Sequence, residues 1–240
     1  MADLIYRVVS ACGALGYGFP GKSLRAAIKG RVDAIVADAG SMDAGPYYLG
    51  ARQNYFDRES VRADYRHMVE AGLATGSPVI VGSCGMAGGD RNLQWMMEVA
   101  KEVFTELDVQ DAKVAVISAQ MDPEALVVEF RAGALRAMGS TPELSETALR
   151  ESTIVGQMGV HPIIAALDSG AQFIFAGRSC DVALFAADML RRGIDAGLAY
   201  HVGHVLECGA VAWRLCFVCK MFIGRESRLS FACRPINPHH

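Results

Sequence analysis

Four short stretches hold the residues of this 240-residue chain whose types and spacing could do chemistry. The first, Asp38-Ala39-Gly40-Ser41-Met42-Asp43-Ala44-Gly45-Pro46-Tyr47-Tyr48, combines two carboxylates, a hydroxyl and backbone-permissive glycines. Asp38 and Asp43 are candidates for proton transfer and Ser41 for ligand contact. The competing reading is that Asp38 and Ser41 satisfy turn amides while Gly45-Pro46 punctuates a loop. The second, Gly82-Ser83-Cys84-Gly85-Met86-Ala87-Gly88-Gly89-Asp90, runs straight into a helix. There the amides of Gly85, Gly88 and Gly89 could cradle a phosphate or carboxylate. It is neither G-x-G-x-x-G nor a Walker loop, and Asp90 would oppose an anion, so a structural turn with Asp90 as helix cap competes. Cys84 lies near those amides with no histidine close in sequence, and a buried inert thiol is its commoner fate.

The third stretch, Gly177-Arg178-Ser179-Cys180-Asp181, offers Arg178 as an anion clamp, because a guanidinium pairs bidentately with a carboxylate or phosphate. An internal ion pair from Arg178 to Asp38 or Asp181 is the alternative, with Asp181 as a helix cap. The fourth, His201-Val202-Gly203-His204-Val205-Leu206-Glu207-Cys208, puts His201 and His204 one helical turn apart, with Glu207 and Cys208 a further turn on. Acid or base work by either histidine, a metal, or plain polar packing all fit. The run is not the H-E-x-x-H zinc motif, and Cys216 and Cys219 form one C-x-x-C with no second pair, so no metal ligand is assigned.

These stretches sit where strands should end. Short runs rich in Val, Ile or Phe at residues 6–11, 34–37, 79–81, 114–117 and 173–176 alternate with segments of helical period at 21–29, 58–75, 92–107, 123–138, 182–192 and 198–213. That rhythm predicts a three-layer, Rossmann-like α/β fold: a mainly parallel sheet with helices on both faces. Ligands of such sheets bind beyond the carboxyl ends of the strands. The ends of strands 34–37, 79–81 and 173–176 are therefore expected on one rim. The polar segment 139–150 reads as a loop.

Composition narrows the partners. Net charge is −3 with dispersed Lys and Arg, which gives no basic face for nucleic acid, and no run of eighteen apolar residues marks a membrane span. Hydrophobic residues make up 52%, enough for a full core and for a subunit interface. The N-terminus lacks signal-peptide features, and the seven cysteines are odd in number and scattered, so a cytoplasmic protein with reduced thiols is expected.

Taken in order, Gly16-Tyr17-Gly18-Phe19, the 38–48 loop, the 82–90 loop, residues 159–162, the 177–181 loop and residues 201–210 resemble the landmarks of the AtuA (acyclic terpene utilisation) family. The resemblance implies a protein of acyclic-terpene or related acid catabolism, found beside enzymes that act on acyl-CoA esters. It brings no assigned triad, metal set or cofactor. On this reading an enzyme, or a subunit of one, takes a small carboxylate or its CoA ester. Arg178 and the Gly85, Gly88 and Gly89 amides receive the anion, and Asp38, Asp43, His201 and His204 move protons. A non-catalytic ligand-binding or assembly subunit and a metal-dependent hydrolase are the rivals; a homo-oligomer or a partner subunit fits either class of function. Similar proteins continue past Glu207-Cys208-Gly209-Ala210, whereas this chain changes character near Val211. Residues 1–210 therefore read as the family domain and 211–240 as an atypical tail, of which the part from about Phe217 onward is expected to add little to the fold. A copy shortened in this way would be inactive if part of its site is missing.

Overall fold

The structure, a computed structural model, describes residues 6–40, 44–208, 219–223 and 229–233. Five strands, β1 (Tyr6–Ser10), β2 (Ala34–Gly40), β3 (Val79–Met86), β4 (Val114–Ile117) and β5 (Phe173–Ala176), pair in parallel in the order β4-β5-β3-β2-β1. The expected rim is present, because β2, β3 and β5 are adjacent and point the same way. Two further strands, β6 (Cys219–Ile223) and β7 (Leu229–Cys233), extend the sheet beyond β1 as antiparallel neighbours. β6 pairs with all of β1, from Tyr6 opposite Ile223 to Ser10 opposite Cys219. The sheet thus continues into residues expected to contribute little; the remaining tail residues lie outside the described ones.

Period-two alternation decides which helices cover which face. Val9, Ile35, Ala37, Val79, Val81, Phe173 and Phe175 face Tyr65, Met68 and Val69 of α3 (Arg58–Thr75) and Leu93, Met96 and Val99 of α4 (Asp90–Glu106), with Leu24 of α1 (Gly21–Ala27) beside them. Their neighbours Tyr6, Val8, Ala34, Val36, Ile80 and Ile174 face α7 (His161–Asp168), α8 (Asp181–Arg191) and α9 (Ala196–Glu207). Both faces are therefore dry, as the continuous apolar runs require.

The helices follow their local chemistry. α3 starts where Asp57 accepts from the Ser60 amide and stops at Gly76 in the left-handed region. A one-turn α2 (Tyr47–Gly50) follows Pro46. α5 (Pro123–Arg131) ends sooner than its apolar pattern suggests, because the chain turns at Gly133 with φ 74°. The expected loop at 139–150 contains α6 (Glu146–Glu151), opened by Ser145 accepting from the Ala148 amide. α7 has no counterpart among the expected helices; it is short, and Pro162 sits in its first turn. α9 ends at Glu207, earlier than expected, and residues 209–218 lie outside the described ones.

α9 lies tightly on α8: a Cβ on Gly203 would come within 2.5 Å of Val182 Cγ1 and 2.7 Å of the Val182 carbonyl oxygen. Gly203→Val should thus cost about 1–3 kcal/mol of overpacking, several degrees of Tm in a domain of this size. Gly50→Ala, whose added methyl meets nothing within 4 Å, should leave Tm unchanged within about a degree or two. Thermal unfolding of the two variants side by side checks the packing.

Candidate functional site

The site is made by an irregularity where β2 and β3 end. From Asp38 to Gly40, β2 advances two residues while β3 advances four, from Gly82 to Met86. The surplus is taken up by left-handed backbone at Ser83 (φ 45°), Gly85 (φ 66°) and Met86 (φ 86°). For Ser83 and Met86 such a conformation is strained and persists only where the surroundings enforce it. Here they do: the Ser83 amide donates to the Gly177 carbonyl at 3.0 Å, and the Ser83 hydroxyl accepts from the Ser179 amide at 3.3 Å. Gly88 completes the lashing. Its carbonyl accepts from the Arg178 amide at 3.0 Å, and a Cβ there would lie 2.2 Å from the Arg178 nitrogen, so no side chain fits.

These contacts fix Arg178 in the interior, where it is only 3% exposed. Its Nη1 donates to the Met86 carbonyl at 3.4 Å, its Nη2 stands 3.8 Å from Asp181 Oδ1, and its Nε is buried with no partner among the described residues. Asp38, 2% exposed, lies near the Asp181 side chain and accepts from the Gly40 amide at 3.3 Å. Burial, and after it the charge and hydrogen bond of Asp181, push the Asp38 carboxyl well above the usual carboxylate range, with Arg178 and the Gly40 amide pulling back.

A cavity of about 370 Å³ opens beside the guanidinium, within the range of small-molecule pockets. Tyr48, Leu49, Met86, Ala87, Ile154 and Val155 give it an apolar wall, and Arg178 is its one charged lining residue among those described. A smaller recess of about 130 Å³ shares Leu49 and Thr153 with it and is bordered by Arg52, Gly89, Asp90, Arg91 and Gln120.

Of the residues singled out in the sequence, Asp38, Arg178 and Gly88 are brought together. The Gly88 amide, however, already donates to the Cys84 carbonyl at 3.2 Å, so its part is close approach rather than anion contact. Gly85 is pressed against Asn54 and Asn92. Gly89, not Asp90, is the N-cap of α4, and the Asp90 amide donates to Gln120 Oε1 at 3.1 Å. Ser41 and Asp43 lie outside the described residues. His201 and His204 are carried on the exposed face of α9 and line neither hollow, because α9 buries Ala199, Val202, Gly203 and Leu206 instead. His204 stands 3.6 Å from Glu207. Among the described residues no group of three or more His, Cys, Asp or Glu is placed to hold a metal. The Cys84 thiol is fully buried and pushed upward by burial and by Asp38, the opposite of nucleophile activation.

Two features differ from the first reading of the sequence: Asp181 takes the ion-pair alternative rather than the cap, and one cavity wall carries no motif. Asp181 is not the cap of α8; Cys180 occupies that position, and Asp181 instead faces Asp38 and Arg178. The cavity wall from Thr153 to Gln157 comes from a segment with no motif. It is placed by backbone pairing, Gly156 to Ala119 at 2.8 Å and Met158 to Arg178 at 3.0 Å.

No curated protein and no solved structure matches the chain. A family model described as acyclic terpene utilisation family protein AtuA matches residues 7–215. That span contains β2 to β5 and nearly all of β1, the strained end of β3, Arg178 and both carboxyl groups around it. The chain belongs to the acyclic terpene utilisation (AtuA) family.

Proposed function

We propose that the protein binds a branched or linear aliphatic carboxylic acid, or the acyl group of its CoA ester, in the cavity beside Arg178. It does so as a cytoplasmic enzyme or enzyme subunit of acyclic-terpene or related acid catabolism. One observation carries the reading: a buried arginine whose Nε has no partner among the described residues borders a cavity that is otherwise mostly apolar. A buried donor without an acceptor costs about 1–3 kcal/mol, and a carboxylate or thioester oxygen would supply the missing acceptor. The apolar wall matches the tail of such an acid, and the adjoining recess with Arg52 and Arg91 leaves room for the polar end of an ester. In this proposal Asp38 holds the proton that an acid-catalysed step would draw on.

A second reading, a non-catalytic binding or assembly subunit, is favoured by the burial of Asp38 and by the outward direction of both histidines. Turnover assays with branched acyl-CoA esters separate the two. Ester consumption that Asp38→Asn abolishes supports the enzyme; tight binding without turnover supports the subunit.

Binding itself is measured by calorimetry with a series from hexanoate to decanoate. Each added CH₂ should tighten binding, by up to about 0.8 kcal/mol or roughly fourfold, until the cavity is filled. Arg178→Lys, which keeps a charge but loses the planar fork, should weaken every member at least about tenfold, consistent with a charge-assisted hydrogen bond. Affinity indifferent to both tail length and Arg178 would defeat the proposal.

The raised carboxyl predicts how stability depends on pH. Because Asp38 keeps its proton in the folded state at pH values where the unfolded carboxyl, near about 3.9, has lost it, the native state binds more protons there. Its stabilising contribution is complete below the unfolded value and is lost as pH rises through the folded one. Denaturant titrations should therefore show stability falling from about pH 4 upward from this group. Asp38→Asn should flatten that fall and exceed the parent at neutral pH.

A further inference from the structure

Resting on the aliphatic-acid reading, we propose that Met86 is a specificity-determining residue of the cavity: its side chain fills the space beside the carbon next to the ligand's acid or carbonyl group and selects tails with no alkyl branch there. Met86 lines the cavity together with Arg178. Its carbonyl accepts from Arg178 Nη1 at 3.4 Å, so the residue stands at the guanidinium end of the cavity, where the head of the ligand binds. Its backbone has no room to retreat. Met86 pairs with Gly40 where β2 and β3 end, so closely that a Cβ on Gly40 would fall 2.1 Å from the Met86 carbonyl oxygen.

Two further observations single out the side chain. At φ 86° Met86 holds a conformation that glycine adopts without strain, and Gly85, Gly88 and Gly89 stand in the same loop. The chain thus keeps a side chain where its backbone favours none. That side chain is only 6% exposed, yet it belongs to neither of the apolar cores on the two sheet faces nor to the small one formed by α5 and α6. It is buried at the cavity instead. A flexible thioether chain shifts to admit a methyl group more readily than a longer branch, so the exclusion grows with the size of the branch. Beyond a methyl, crowding a closed apolar wall is costly.

The test uses three isomeric acids of equal carbon number, octanoate, 2-ethylhexanoate and 6-methylheptanoate, by calorimetry on the full chain. The parent should bind 2-ethylhexanoate, branched beside the acid group, about tenfold or more weakly than octanoate, and in Met86→Ala the two should come within about threefold of each other. The ratio of 6-methylheptanoate to octanoate, which reports the far end of the tail, should not move. Met86→Gly, which also removes the backbone strain, should show the same gain with a Tm no lower than that of Met86→Ala. The assignment of Met86 is overturned, and the carboxylate reading stands, if the parent binds 2-ethylhexanoate as tightly as octanoate. It is equally overturned if both variants still exclude 2-ethylhexanoate, if 6-methylheptanoate gains as much as 2-ethylhexanoate, or if folded variants bind no octanoate, which would make Met86 a mere support of Arg178. If none of the three acids binds the parent, both are overturned together.

Discussion

Two carboxyl groups and one guanidinium, drawn from the ends of β2 and β5, with Asp38 and Arg178 buried, are the constraint around which the site is organised. Burial and the neighbouring charge of Asp181 make Asp38 costly to ionise, and Arg178 cannot be left unpaired in an apolar wall. Bringing them together stabilises each only if their positions are held closely. The strained β3 terminus does that holding: Ser83 and Gly88 tie it to the backbone at Gly177 and Arg178, and its Met86 carbonyl accepts from the guanidinium. The amino ends of the strands show a different solution to the same problem. There Asp33 accepts from Arg31 and Arg192 and from the Arg7 amide, an acid answered by bases. At the carboxyl ends an acid is answered by another acid, an arrangement that opposes stability and so suits a functional site better than a structural one.

The fold is largely legible in the sequence, because it follows from short-range chemistry. The apolar runs at 34–37, 79–81 and 173–176 are buried parallel strands, and Asp57 and Gly76 bound α3 where an amphipathic pattern begins and ends. What the sequence hides, it hides for physical reasons. α6 and α7 are too short for period to announce them, and only Ser145 and Pro162 mark their starts. β6 and β7 pair antiparallel with β1 and with each other, and nothing in an apolar tail segment names a partner at the far end of the chain.

The site is legible in part. Arg178 and Asp38 stand out because they follow strands of a parallel sheet, where ligands gather. Asp181 reads as a cap because it begins a helix, and only the fold brings it to Asp38. His201 and His204 look equally chemical in the sequence, yet the apolar stripe of α9 turns them to solvent. A motif tells what a side chain can do, and the stripe that buries its helix decides where it can do it. The cavity wall at 153–157 carries no signal at all, being placed by backbone bonds to Ala119 and Arg178.

The raised Asp38 carboxyl is central to the site, since a proton kept there leaves Arg178 free of one carboxylate charge and able to receive that of a ligand. Infrared difference spectroscopy at neutral pH, comparing the protein with its Asp38→Asn variant, observes that proton directly through the carbonyl stretch of a protonated carboxyl. A proton held on Asp38 predicts such a band in the parent, lost in Asp38→Asn and shifted when an aliphatic acid binds. A parent spectrum without the band, or a band that persists unchanged in Asp38→Asn, would contradict it.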